Sequence, residues 1–132
     1  MRLNKFSLEN KNILITGAAG SLGLEHSIAL LNVGARVIMT DIDFIKLKKN
    51  EIDLIKKNKI SRIHCLKMDV SSENSVQKAL KYLKKKKLKL DVLINNACLN
   101  PKFDIKFKNK NTALEKYSLN TWEREIKVGL TG

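Results

Sequence analysis

Few of the residues that build disulfide scaffolds, nucleic-acid stacking platforms or membrane spans occur in this chain. Its 132 residues include two cysteines, one proline, one tryptophan, two tyrosines and four phenylalanines. Cys65 and Cys98 form no C-x-x-C pair and no histidine cluster stands beside them. That pattern excludes a disulfide framework and a zinc module, and predicts two buried or half-buried free thiols in a reducing compartment. No apolar run approaches the roughly 18 residues that cross a bilayer, and Met1 to Ser7 has no apolar signal-peptide segment. The expectation is a soluble, cytoplasmic protein with no membrane partner.

Acidic residues are scarce as well: 13 Asp and Glu face 26 Lys and Arg, for a net charge of +13. Only four of the 26 are arginines, and the lysines are spread along the chain. Proteins that read nucleic-acid sequence concentrate arginine and interleave aromatics. The excess therefore reads as a solvated lysine surface with a salt-sensitive attraction to polyanions, and nucleic acid is not the expected partner.

The most informative stretch is Ile13-Leu14-Ile15-Thr16-Gly17-Ala18-Ala19-Gly20-Ser21-Leu22-Gly23. A β-branched apolar run enters a glycine-spaced turn, and a helical apolar pattern follows through Val33. A helix start leaves amides unpartnered under the positive end of the dipole, and glycines let a pyrophosphate approach without meeting a Cβ. The spacing is G-x-x-G-x-x-G rather than G-x-G-x-x-G, so alone it also fits a strand-to-helix turn without a ligand. Asp41 adds context. It closes the run Arg36-Val37-Ile38-Met39-Thr40, eighteen residues after Gly23, where an acid would meet a ribose hydroxyl.

Further strands are predicted near 62–68 and 91–96. Helices are predicted over about 44–58, from a cap at Ser71 or Ser72, and from an Asn120-Thr121-Trp122-Glu123 capping box. In the first helix, Leu22 and His26 are placed on an apolar face, with His26 as a packed core histidine. Lys84 to Lys87 reads as a solvated helix end rather than a nuclear signal or RNA patch. Strands alternating with helices imply an α/β fold, a doubly wound parallel sheet (Rossmann) of which four strands in the order 3-2-1-4 form the first half. Val92, Leu93 and Ile94 read as a strand meant to lie inside a larger sheet, so the isolated chain is expected to be marginal and to self-associate. One domain over residues 1–132 is expected.

Four landmarks together resemble the short-chain dehydrogenase/reductase family: Thr16 to Gly23 as its glycine motif, Asp41 after the second strand, Asp69-Val70 after the third, and Asn95-Asn96-Ala97 after the fourth. Cys98 stands where that family usually has glycine. The tail, Asn100-Pro101-Lys102-Phe103 with Leu119 to Trp122 and Val128 to Gly132, resembles a bacterial branch associated with nonulosonic-sugar and flagellin modification. The resemblance implies hydride transfer between NAD(P) and an alcohol or carbonyl, with Gly17, Gly20, Ser21, Leu22, Gly23, Asp41, Asp69, Val70, Asn95, Asn96 and Ala97 at the cofactor. Asp41, with Ala18 and Ala19 where NADP-dependent members often carry a base, favours NAD over NADP.

The family's proton-transfer Ser and Tyr-x-x-x-Lys fall past residue 132, so the chain reads as a truncated cofactor-binding part, inactive alone, with no catalytic residue assigned. Tyr82 and Lys86 match the spacing only as a decoy, and Gly129 replaces an Asn that supports the relay in many members. The alternatives are a non-catalytic dinucleotide-binding module and a basic adaptor for a polyanionic partner. Family members are usually homo-oligomers, and the substrate of this chain is not legible.

Overall fold

The computed structural model describes residues 6–58, 61–99 and 117–132. It divides into two units, residues 1–97 and 98–132. The first unit runs β1 (Asn12–Thr16), α1 (Ser21–Asn32), β2 (Arg36–Asp41), α2 (Phe44–Asn58), β3 (Ile63–Lys67), α3 (Glu73–Lys85) and β4 (Val92–Ile94). The second contains α4 (Leu119–Gly129).

The four strands form one parallel sheet in the order β3-β2-β1-β4. Every residue of β1 is buried, and so are Val37 to Thr40 of β2. Continuous apolar strands of this kind arise where both faces of a sheet are covered. On one face Ile13, Ile15, Val37 and Met39 meet Leu31, Leu47 and Leu54. On the other, Leu14 and Ile38 meet Ala79 and Leu83. Each large side chain so buried contributes about 1.5–3 kcal/mol.

Local chemistry sets the element ends. Gly34, at φ +99°, terminates α1 in the left-handed region. The Ser72 side chain accepts from the Ser75 amide and caps α3. The last helix begins earlier than the Asn120 capping box predicts. Ser118 caps it, its hydroxyl accepting from the Thr121 amide at 3.2 Å. A hydroxyl three residues before a free amide outcompetes the asparagine two positions later.

Burial differs from the periodicity reading at several places. Leu22 is exposed and His26 only half-buried, because α1 turns Gly23, Ser27 and Leu31 inward. In α2 the inward residues are Leu47 and Leu54, which leaves Ile45 and Ile52 exposed. Cys98 is exposed rather than buried. Leu93 and Val92 are about half and two-fifths exposed, since β4 has a neighbour on one side only among the described residues.

Candidate dinucleotide site

Parallel strands deliver their carboxyl ends to one edge, and the loops that leave β1, β2, β3 and β4 meet there. Gly17 takes φ +67°, a conformation in which an L side chain is strained. A Cβ on Gly17 would lie 2.9 Å from the Ala97 Cα, and one on Gly23 would lie 2.4 Å from the Gly17 carbonyl. Both glycines are therefore demanded by the protein's own packing.

Gly20 is different. Its φ is −71°, and its nearest obstacle to a Cβ is the Gly17 oxygen at 3.3 Å. Neither conformation nor a severe internal clash requires glycine there.

The amides of the turn divide into two sets. Ala18 donates to the Thr40 carbonyl, Gly20 donates to the Gly17 carbonyl, and Ala19 donates to Asp41 Oδ2 at 2.9 Å. Among the described residues the Ser21, Leu22 and Gly23 amides meet no acceptor, the first helical bond being Leu24 N–H to the Gly20 carbonyl. Three adjacent donors at a helix start make an anion cradle.

Asp41 lies against this turn. Its Oδ1 accepts from the Asp43 amide at 2.9 Å while Oδ2 holds Ala19. Ile42 beside it is 62% exposed and offers an apolar wall that the periodicity did not single out. The Met68 amide donates to the Asp41 carbonyl, which brings Asp69 and Val70 alongside. Asp69 Oδ1 accepts from both the amide and the hydroxyl of Ser71, and Val70 packs beneath against the Leu14–Ile38 core.

Thr16 ties the fourth strand to the first. Its hydroxyl accepts from the Asn96 and Ala97 amides, each at 3.0 Å, and reaches the Ile94 carbonyl at 3.4 Å as donor. A hydroxyl has one proton and two lone pairs, and all are engaged. The Asn96 side-chain amide donates to the Thr16 carbonyl at 2.9 Å and the Gly17 carbonyl at 3.2 Å. Its donors thus support the turn from behind. Asn95 is exposed. Thr16 opens the glycine motif, and a hydroxyl at the strand exit is the sequence signal for this tie.

Tyr82 sits elsewhere. Its hydroxyl is 3.5 Å from His64 Nδ1 on β3, at the opposite edge of the sheet from β4. Burial pushes the His64 pKa down, and the Arg36 and Lys86 charges push it further. Among the described residues no group of three metal-ligating side chains occurs, and no helix is long and apolar enough to cross a membrane.

A parallel sheet of order 3-2-1-4, with unpaired helix-start amides and an acid at its carboxyl edge, is the arrangement of dinucleotide-binding α/β folds. Residues 11–132 match the family model of the short chain dehydrogenases, and the chain belongs to that family. It is 33% identical over 125 residues to the Bacillus subtilis oxidoreductase YxbG, itself uncharacterized, covering 95% of this chain and 42% of that protein. Two solved structures are also similar. The 3-ketoacyl-(acyl-carrier-protein) reductase of Brucella melitensis, complexed with NADH, is 25% identical with a TM-score of 0.76, covering 92% of this chain and 45% of that one. RhlG of Pseudomonas aeruginosa, in an NADP active-site complex, is 26% identical with a TM-score of 0.79, covering 96% and 44%. This chain thus spans less than half the length of these relatives. A nicotinamide dinucleotide, NAD or NADP, is the cofactor that the family membership supports.

Proposed function

We propose that residues 1–132 form the dinucleotide-binding part of an NAD-dependent oxidoreductase that moves hydride between the nicotinamide and an alcohol or carbonyl carbon. The observation that carries this reading is the pairing of a glycine at position 20, which no severe internal constraint demands, with three acceptor-free amides immediately after it. The residues fit the group. Ser21, Leu22 and Gly23 would hold the diphosphate on their amides, with Gly17 and Gly20 keeping the approach clear. Asp41 would accept from the adenosine ribose, while Asp69, Val70 and exposed Ile42 would border the adenine. Asn95 and Ala97 line the exit of β4, and Asn96 acts on the cofactor by fixing the turn.

The preference for NAD rests on charge and space. A 2′-phosphate would approach the Asp41 carboxylate, and the buried Ala18 and Ala19 supply no compensating cation. The bound dinucleotide supplies the hydride acceptor or donor. This chain's own residues bind and orient it, and none of the residues discussed is assigned proton transfer. A sugar derivative is the proposed substrate class. It rests on the tail resemblance, of which Asn100 to Phe103 and the insert that follows lie outside the described residues.

Equilibrium titration of the chain with NADH and with NADPH, read by nicotinamide fluorescence, tests the reading. Saturable NADH binding at least tenfold tighter than NADPH is expected. Absence of binding by both would overturn the site, and tighter NADPH binding would overturn the NAD preference alone.

A further inference from the structure

The amino ends of the parallel strands gather on the edge opposite the glycine turn, and so do the carboxyl ends of the helices. Lys11 precedes β1, Arg36 opens β2, Lys84 to Lys87 end α3, and Lys89 lies just before β4. Contacts hold these segments together. The Arg36 Nη1 donates to Asn12 Oδ1 at 3.1 Å, and Asn12 Nδ2 donates to the Lys89 carbonyl at 2.7 Å. The Lys86 ammonium stands 6.0 Å from the centre of the Tyr82 ring, whose hydroxyl faces His64. The acid within this network, Asp91, is already engaged by the Asn12 amide and by Lys11 at 3.6 Å. The four lysines of the run are all exposed.

A second observation is conformational. Helix α3 ends in a Schellman motif, with the Leu88 amide donating to the Leu83 carbonyl and the Lys87 amide donating to the Lys84 carbonyl. The residue at its left-handed position is Lys87, at φ +53°. Glycine is favoured there, and an L side chain costs about 1 kcal/mol. A lysine held at that position, completing a run of four charges, is an outlier that points to use of the charge.

We propose that this rim docks the phosphate backbone of a nucleic acid, without reading its sequence, at the end of the sheet remote from the dinucleotide turn. Lysine ammoniums are point charges suited to phosphate oxygens and carry no base information. Lys84 to Lys87 present only charge; of the leucines beside them Leu83 is buried, Leu88 half-buried and Leu90 37% exposed, too little apolar surface to enter a bilayer or to form the centre of a protein interface. By its sequence alone the run is a solvated helix end; the fold adds Lys11, Arg36 and Lys89 to it.

The test is fluorescence anisotropy of the whole chain with a labelled 20-base-pair DNA duplex between 50 and 200 mM salt. Three variants accompany the native chain: K84Q/K85Q/K86Q/K87Q, the equal-charge control K46Q/K49Q/K67Q/K78Q, and K87G. Four phosphate contacts predict a loss of roughly 100-fold in native affinity across that range. The rim variant should lose most of that salt dependence and the control should keep it. K87G should lower the slope by about 0.9 while raising thermal stability, which separates lost charge from lost folding. Equal binding by native and rim variant, an equal loss in the control, or displacement by polyglutamate at matched charge concentration would each overturn the proposal. The last would assign the rim to an acidic polypeptide.

Discussion

Asp41 Oδ2 accepts a 2.9 Å hydrogen bond from the backbone amide of Ala19, joining the end of β2 to the middle of the glycine turn. The acid is thus part of the turn's construction as well as a candidate ribose partner. Its other oxygen holds the Asp43 amide at the start of α2, so one carboxylate orients two loops.

Replacing Asp41 should affect both roles. Asp41→Ala removes a charged acceptor, and hydrogen bonds to charged groups are worth about 1.5–3 kcal/mol. NADH affinity is expected to fall roughly ten- to hundredfold, by that same energy. NADPH affinity should fall less, because repulsion of the 2′-phosphate goes with the charge. Titration of the two cofactors against native and variant chains reads the difference, and an unchanged affinity ratio counts against the assignment.

The glycines of the turn should separate by substitution. Gly23→Ala places a Cβ 2.4 Å from a backbone oxygen and should destabilise by about 1–3 kcal/mol or more, seen as a lower urea midpoint. Gly20→Ala meets only the 3.3 Å contact and should lower the midpoint far less than Gly23→Ala while weakening NADH binding. Equal stability losses in the two variants would remove the ligand-based reason for glycine at position 20.

Thr16→Val keeps the side-chain shape and removes the acceptor shared by the Asn96 and Ala97 amides. A part-buried donor left without a partner costs about 1–3 kcal/mol. The expected result is a reduced urea midpoint and faster amide exchange at residues 95–97. Thr16→Ser restores the hydroxyl and should recover most of the loss.

The two thiols should behave unlike each other. Burial, with the Glu51 charge next in effect, pushes the Cys65 thiol up to about 12, so almost no thiolate forms at pH 8. Cys98 is exposed. Iodoacetamide at pH 8 followed by peptide mass spectrometry should label Cys98 promptly, and half-buried Cys65 far more slowly until the chain is denatured. Equal labelling in the native chain would contradict the partial burial and raised pKa of Cys65.

Much of this arrangement was legible in the chain itself, because it depends on local periodicity and on glycine. The apolar run from Ile13 to Ile15, the turn from Gly17 to Gly23 and the acid at position 41 gave strand, turn, helix, strand and acid in order. The alternation of elements then fixed the order 3-2-1-4, since right-handed crossovers leave few other arrangements. What the chain could not show is where donors and acceptors are spent. Whether the Asn96 amide faces a ligand or the Thr16 and Gly17 carbonyls depends on how far β4 slides along β1. That packing requires glycine at position 17 depends on Ala97, eighty residues away, whereas Gly23 is constrained by the Gly17 carbonyl within the same turn. The same holds for the cations at the far rim: Lys11, Arg36 and Lys89 are distant in sequence and become neighbours only when the strands align. Side-chain periodicity is a property of a segment, whereas hydrogen-bond occupancy and charge density belong to segments brought together, and only the folded sheet determines them.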